Sequence, residues 1–278
     1  MTVDNDNSLA DIPDKILRFD SDLLKPQGPE DEEIIASYFD SIPGLMTSMT
    51  IFPSPTPSYE KEFKDRKKFW IRLANTPERL EKAAILVDRM YSKQGYTHDN
   101  ILQENPHTIT LITYRRDGKV IGTVSIRMDS QEEGLFADEG YRLELDRLRK
   151  MGKKLCEFNG LAIDSEIRSR LVVARLFHIG MLYPWGLFGY TDTVIEVTPV
   201  HAKFYERMLG FKKIGQERVC PRVNVSGVLM HLDFSHADRK ISEVGGLLEK
   251  GKGDKSLYPY FFSKNDADGI LGRLRRMV

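Results

Sequence analysis

"TDTVIEVTPVHAKFYERMLGFKKIG", residues 191 to 215, changes its periodicity twice. The first seven residues read as a strand. Thr198 can then cap a helix, and Pro199 suits the first helical turn. Phe204, Met208 and Leu209 fall at helical spacing and can share one buried stripe. Gly210 stands where a helix ends in positive φ, and "FKKIG" returns to an extended pattern. One reading is a short core helix between two strands. The other is that Tyr205 points into a site, and the flanking elements have to decide between them.

Working toward the N-terminus, "LCEFNGLAID" is a strand signal. "SEIRSRLVVARLFHIGMLY" follows it as a helix opened by Asp164 or Ser165. Residues 131 to 154 read as irregular and then as a basic helix. "HTITLITYRR" and "KVIGTVSIRMD" flank Asp117-Gly118, a favoured hairpin turn pair. "KKFWIRLAN" is a strand running into the cap Thr76-Pro77-Glu78. Leu80, Ala83, Ala84, Val87, Met90 and Tyr91 then recur at i, i+3, i+4, i+7. Toward the C-terminus, "SGVLMHLDF" gives another strand. The order β-α-β-β-(α)-β-α-β-α-β-β predicts an α/β or α+β fold, a mixed sheet with helices on both faces.

Three segments are expected. Residues 1–65 are an acidic, proline-containing extension, with "IFPSPTPSYEKE" as a linker. Within it, Ile34, Ile35, Tyr38 and Phe39 suggest one helix that folds back on the main domain or meets a partner. Residues 66–235 form the compact domain. Residues 236–278 form a helical extension with weak signals around "SLYPYFFS".

Lys and Arg total 41, as do Asp and Glu, so the formal net charge is zero. That balance argues against a dedicated nucleic-acid binder. "RLRKMGKK" and "RLRR" are local basic runs, either solvated faces or docking surfaces for an acidic partner. The two cysteines, Cys156 and Cys220, form no disulfide framework and have no metal-ligand spacing. No metal is expected. No signal-peptide core or membrane-spanning run is found, and a cytoplasmic location is expected.

The strand order and the Phe-Tyr…Gly-Phe helix resemble the GCN5-related N-acetyltransferase superfamily. "IRLANTPERLEKAAILVDRMYSKQGY", "CEFNGLAIDSEIRSR", "IEVTPVHAKFYERMLGF" and "CPRVN", in that order, resemble its N-acyl amino acid synthases, the branch similar to autoinducer synthases. The resemblance covers about residues 66 to 235. It implies an enzyme moving a medium or long acyl chain from acyl carrier protein to an amino-acid α-amine. The donor would be a 4′-phosphopantetheine thioester, with acyl-CoA as the alternative. Two departures stand out. "DSEIRSR" has no glycine where the superfamily carries a Gly-rich pyrophosphate loop, which disfavours a close grip on CoA diphosphate. Gly160 stands where relatives usually carry Arg.

Acyl transfer to an amine needs a base, an oxyanion site and an outlet for the thiolate. Glu157 lies in a strand poor in charge, as a base or as a structural carboxylate bonded to an Arg such as Arg127. The resemblance favours a catalytic role, because the autoinducer branch has a glutamate at the matching position. Tyr205 is either the acid toward the thiolate or a core tyrosine. Arg168 and Arg170, at the start of a helix, oppose its dipole and suggest an anion such as the donor phosphate. Main-chain amides near Leu161 and Ala162 would serve the oxyanion if the strand is splayed open there, as the resemblance implies. Arg127, Asn159 and Arg222 are candidates for acceptor contacts, Arg222 toward a substrate carboxylate. Two rival functions stay open: a CoA-dependent N-acetyltransferase, and a catalytically silent fold used for binding.

Overall fold

A computed structural model describes residues 34–39, 68–96, 102, 105–115, 117–167, 169–247 and 253–277. The linker at 51–62 lies outside these residues. Nine strands form one sheet system: β1 (Ile34–Phe39), β2 (Lys68–Leu73), β3 (Thr108–Arg115), β4 (Val120–Met128), β5 (Leu155–Ile163), β6 (Asp192–Val197), β7 (Lys212–Lys213), β8 (Arg218–Cys220) and β9 (Val225–Asp233). The path is β1-β2-β3-β4-β5-β6-β9-β7, with β8 paired to β9. Every pairing is antiparallel except β5 with β6.

Six α-helices accompany the described strands. They are α1 (Pro77–Ser92), α2 (Asp138–Lys150), α3 (Arg170–Met181), α4 (Pro199–Leu209), α5 (Phe234–Val244) and α6 (Lys264–Met277). The capping signals act as the sequence predicts in two of them. Thr76 Oγ1 accepts from the Arg79 amide at the start of α1. Gly210 ends α4 at φ 80°. The opening of α3 is different: it begins at Arg170 after Ser169, not at Asp164. Asp164 instead accepts from the Glu166 amide and pairs with Arg89 and Lys119, so its carboxylate is spent on a turn. Pro184, which lacks an amide proton, falls in a π-helical turn, Leu182–Leu187, that continues α3.

Alternation along the strands sends successive side chains to opposite faces. Leu111 joins the main core while its neighbour Ile112 packs with Ala83 of α1. Tyr141 and Leu145 of α2 pack on Leu155, Val194 and Leu229. The other face carries the larger core, where Leu176 and Phe177 of α3 and Phe234 and Ile241 of α5 meet Ile126, Phe158 and Met230. Tyr258, Phe261, Ile270 and Leu274 of the C-terminal segment belong to that same core.

The expected helix at residues 34–39 is a strand. It pairs antiparallel with β2 from Ile34 to Phe39, with an irregularity at Ile35, which is fully buried. Adjacent β-branched residues favour the pleated form, and the free edge of β2 supplies the hydrogen bonds. The Arg273 guanidinium of α6 donates to the Ile35 carbonyl, so the C-terminal helix braces the N-terminal strand. Among the described residues no helix is long and apolar enough to cross a membrane.

Candidate active site

Strands β5 and β6 pair only over Leu155 to Glu157. Beyond Glu157 they part, and β5 gains no further partner from β6. Strand β5 also bulges. Thr123 faces Ala162 while Ser125 faces Asn159, so one extra residue of β5 is accommodated at Gly160–Leu161. Gly160 takes φ 58°, a conformation that a side chain resists. The parted strands open a cleft of about 530 Å³. Met90, Tyr91 and Tyr96 form one wall, and Thr198, Phe204 and Tyr205 form another.

Glu157 lies at the apex of the split. It is 1% exposed, and its Oε2 accepts from the Ala137 amide at 3.1 Å. Burial is the main reason its carboxyl is raised from the ordinary 4.5 to about 7, against the lowering pull of Arg222. Arg127, its register partner on β4, is turned away: it donates to the Gly134 carbonyl and to Glu133. The alternative of a Glu157–Arg127 structural pair therefore fails, and Arg127 does not line the cleft.

Arg222 does reach the cleft. Its Nη2 is 2.9 Å from Glu196 Oε2 and 3.9 Å from Glu157 Oε1. The guanidinium lies over the Phe136 ring at 4.9 Å, while Arg127 lies over the same ring at 4.3 Å. Its Nε is buried with no hydrogen-bond partner among the described residues. The Asn159 carboxamide is in the same condition at both its oxygen and its nitrogen. Unsatisfied buried polar atoms in a cleft wall suit a polar ligand.

Tyr205 lines the cleft among Phe177, Phe204 and Phe211, with its hydroxyl held above the ordinary tyrosine value by burial. The expected buried stripe on α4 reduces to Leu209, because Phe204 is 41% exposed at the cleft rim. Leu161 and Ala162 line the cleft. Arg170 is exposed at the first turn of α3, and Arg168 lies outside the described residues. Cys156 is fully buried, and desolvation raises its thiol far above the ordinary range. Helix α3 is core, with Phe177 alone of its side chains in the cleft. Glu196 and Phe136 were not anticipated. The signal for Glu196 was present in "TDTVIEV": a lone glutamate deep in an apolar strand, the same argument that singles out Glu157.

The mixed sheet parted between its two parallel strands is the fold of GCN5-related N-acetyltransferases, and the chain is an acyltransferase of that fold. The model of the family N-acyl amino acid synthase FeeM matches residues 82–233, more than half of the chain. The chain belongs to that family. The solved structure of FeeM, an N-acyl amino acid synthase from uncultured soil microbes, is 28% identical, with a TM-score of 0.56 over 61% of this chain and 92% of that one. NAA60 of Arabidopsis thaliana is 14% identical, with a TM-score of 0.44 over 59% and 98%. The AHL synthase LasI is 11% identical, with a TM-score of 0.43 over 59% and 89%. No curated protein matches the sequence.

Proposed function

We propose that this acyltransferase moves a medium or long acyl chain from the phosphopantetheine thioester of an acyl carrier protein to the α-amine of an amino acid. The observation that carries the mechanism is Glu157, buried at the apex of the cleft with a carboxyl that titrates near neutrality. Such a group is unprotonated often enough to act and basic enough to accept a proton. The ammonium form of the acceptor gives up one proton to solvent, and its neutral nitrogen attacks the thioester carbonyl while Glu157, directly or through one water, takes the second proton from that nitrogen. Main-chain amides on the unpaired edge of β5 near Leu161 and Ala162 support the oxyanion. The C–N bond is then complete, the C–S bond breaks, and the thiolate leaves. Arg222 Nε and Asn159 Nδ2, both unsatisfied donors, suit the acceptor's carboxylate.

Tyr205 takes a reduced part. A desolvated phenol above its ordinary value of 10 is a weaker acid than a thiol near 8.5. Full transfer to the thiolate runs uphill, so Tyr205 donates a hydrogen bond to the leaving sulfur and solvent supplies the proton. The test is turnover of acyl carrier protein thioesters in an equimolar mixture of amino acids, with products identified by mass spectrometry. An N-acyl amino acid is expected. Hydrolysis alone, or acylation of a non-amino-acid amine in preference, overturns the reading.

A further inference from the structure

Two carboxylates share one arginine at the apex of the cleft. Glu157 pairs in register with Val194, and Glu196 follows two residues later, so both side chains leave the sheet on the same face. The Arg222 guanidinium reaches them from the turn after β8 and is placed unequally: 2.9 Å from Glu196 Oε2 and 3.9 Å from Glu157 Oε1. The space for this arrangement is specific. A Cβ on Gly227 of β9 would stand 2.7 Å from Glu196 Oε1 and 3.0 Å from its Cγ. The β9 backbone is thus bare at Gly227, where the Glu196 carboxylate lies.

We infer that Glu196 is a positioning residue that holds the Arg222 guanidinium away from Glu157, leaving Glu157 free to take a proton from the acceptor amine. The inference rests on Glu157 being the base. An arginine in full contact with Glu157 would stabilise its ionised form and make it a weaker base; an opposite charge at contact typically lowers a carboxyl by about 1–3 units. Glu196 engages the guanidinium first.

Other ionisable groups surround this trio, and His201 of α4 lines the same cleft. On α1, Tyr91 is pushed up to about 12 by burial. On α2, Tyr141 is likewise pushed up to about 12, and Glu139 is 54% exposed with Oε2 3.9 Å from Arg222 Nε. The thiols of Cys156 on β5 and Cys220 on β8 are raised by burial. Arg127 on β4 is engaged with Glu133.

The experiment follows the Glu157 carboxyl itself, by 13Cδ-glutamate NMR, with its signal assigned by its loss in Glu157→Gln. Glu196→Gln is expected to lower the Glu157 midpoint by about one unit or more, a tenfold loss of proton affinity. The acid limb of kcat/KM should move by the same amount and its plateau should fall. Gly227→Ala displaces the Glu196 carboxylate without removing its charge and should move the midpoint in the same direction. A cycle with Arg222→Met separates the routes. If Glu196 acts through Arg222, Glu196→Gln changes little in the Arg222→Met background. An unchanged midpoint in folded Glu196→Gln overturns the inference, and so does an equal shift in both backgrounds. A midpoint that shifts while the rate profile stays fixed leaves the positioning intact and removes Glu157 from the chemistry.

Discussion

Glu157 combines two demands that oppose each other. Its place at the apex of the split puts the carboxyl on the cleft wall, and the same burial penalises its charge. A folded value near 7 against an ordinary 4.5 means that the native state holds this proton more tightly than the unfolded chain. The stabilising contribution is therefore full below about pH 4.5 and is lost as pH rises toward 7. The difference corresponds to about 3 kcal/mol between the two limits. Glu157→Gln removes the charge and keeps the shape. Its melting temperature relative to the parent protein should be more favourable at pH 8 than at pH 5. Its kcat at neutral pH should fall by about 10²- to 10⁴-fold. Equal melting differences at the two pH values would show that Glu157 is not burdened by burial. A folded variant with near-parental kcat would exclude it as the base.

At the scale of elements, the strands and helices from β2 to β9 were legible wherever a local rule governed them. Thr76 and Gly210 mark helix ends, and Asp117-Gly118 marks the hairpin, because these positions need specific hydrogen bonds or positive φ. Strand β1 was not legible. Its pattern of Ile34, Ile35, Tyr38 and Phe39 fits a helix equally well, and only the free edge of β2 selects the extended form. Helix α6 depends on the same kind of distant partner. It packs on the π-helical turn through Leu271, and a Cβ on Gly186 would stand 2.5 Å from Leu271 Cδ1. Gly186→Val should push α6 off this seat and cost about 1–3 kcal/mol. Because Arg273 ties α6 to β1, hydrogen exchange should accelerate in both segments together. Acceleration in α6 alone would show that β1 holds without it.

At the scale of the whole molecule, the cleft was half legible. Glu157, Tyr205, Asn159 and Arg222 were singled out in the sequence and do meet in one cleft, while Arg127 does not. The basic run at residues 147–154 also changes meaning once folded. Arg149 is held by Asp129, Asp138 and Asp146, and Lys153 by Asp192 and Asp233, so both are structural. Charge runs read from sequence carry no information on such distant partners.

The loop after β5 bears on the choice of acyl donor. Its Glu166 amide is taken by Asp164 Oδ1, and its Ile167 amide by the Asp164 carbonyl. Those two amides are therefore not available to a diphosphate. The carboxylates of Asp164 and Glu166 stand in the same loop, linked through Lys119. CoA would bring a diphosphate to this loop, whereas a phosphopantetheine arm brings one phosphodiester and a protein behind it. At equal acyl length, kcat/KM should be at least about ten times higher with the carrier protein, a difference of about 1.4 kcal/mol in transition-state stabilisation. Carrier proteins are acidic, so added salt should weaken their use more than that of acyl-CoA, through screening over about 8 Å. Steady-state rates on both donors across a salt series measure both effects. Equal or better turnover of acyl-CoA, with the same salt dependence, would refute the carrier-protein donor and return the loop to a diphosphate role despite its occupied amides.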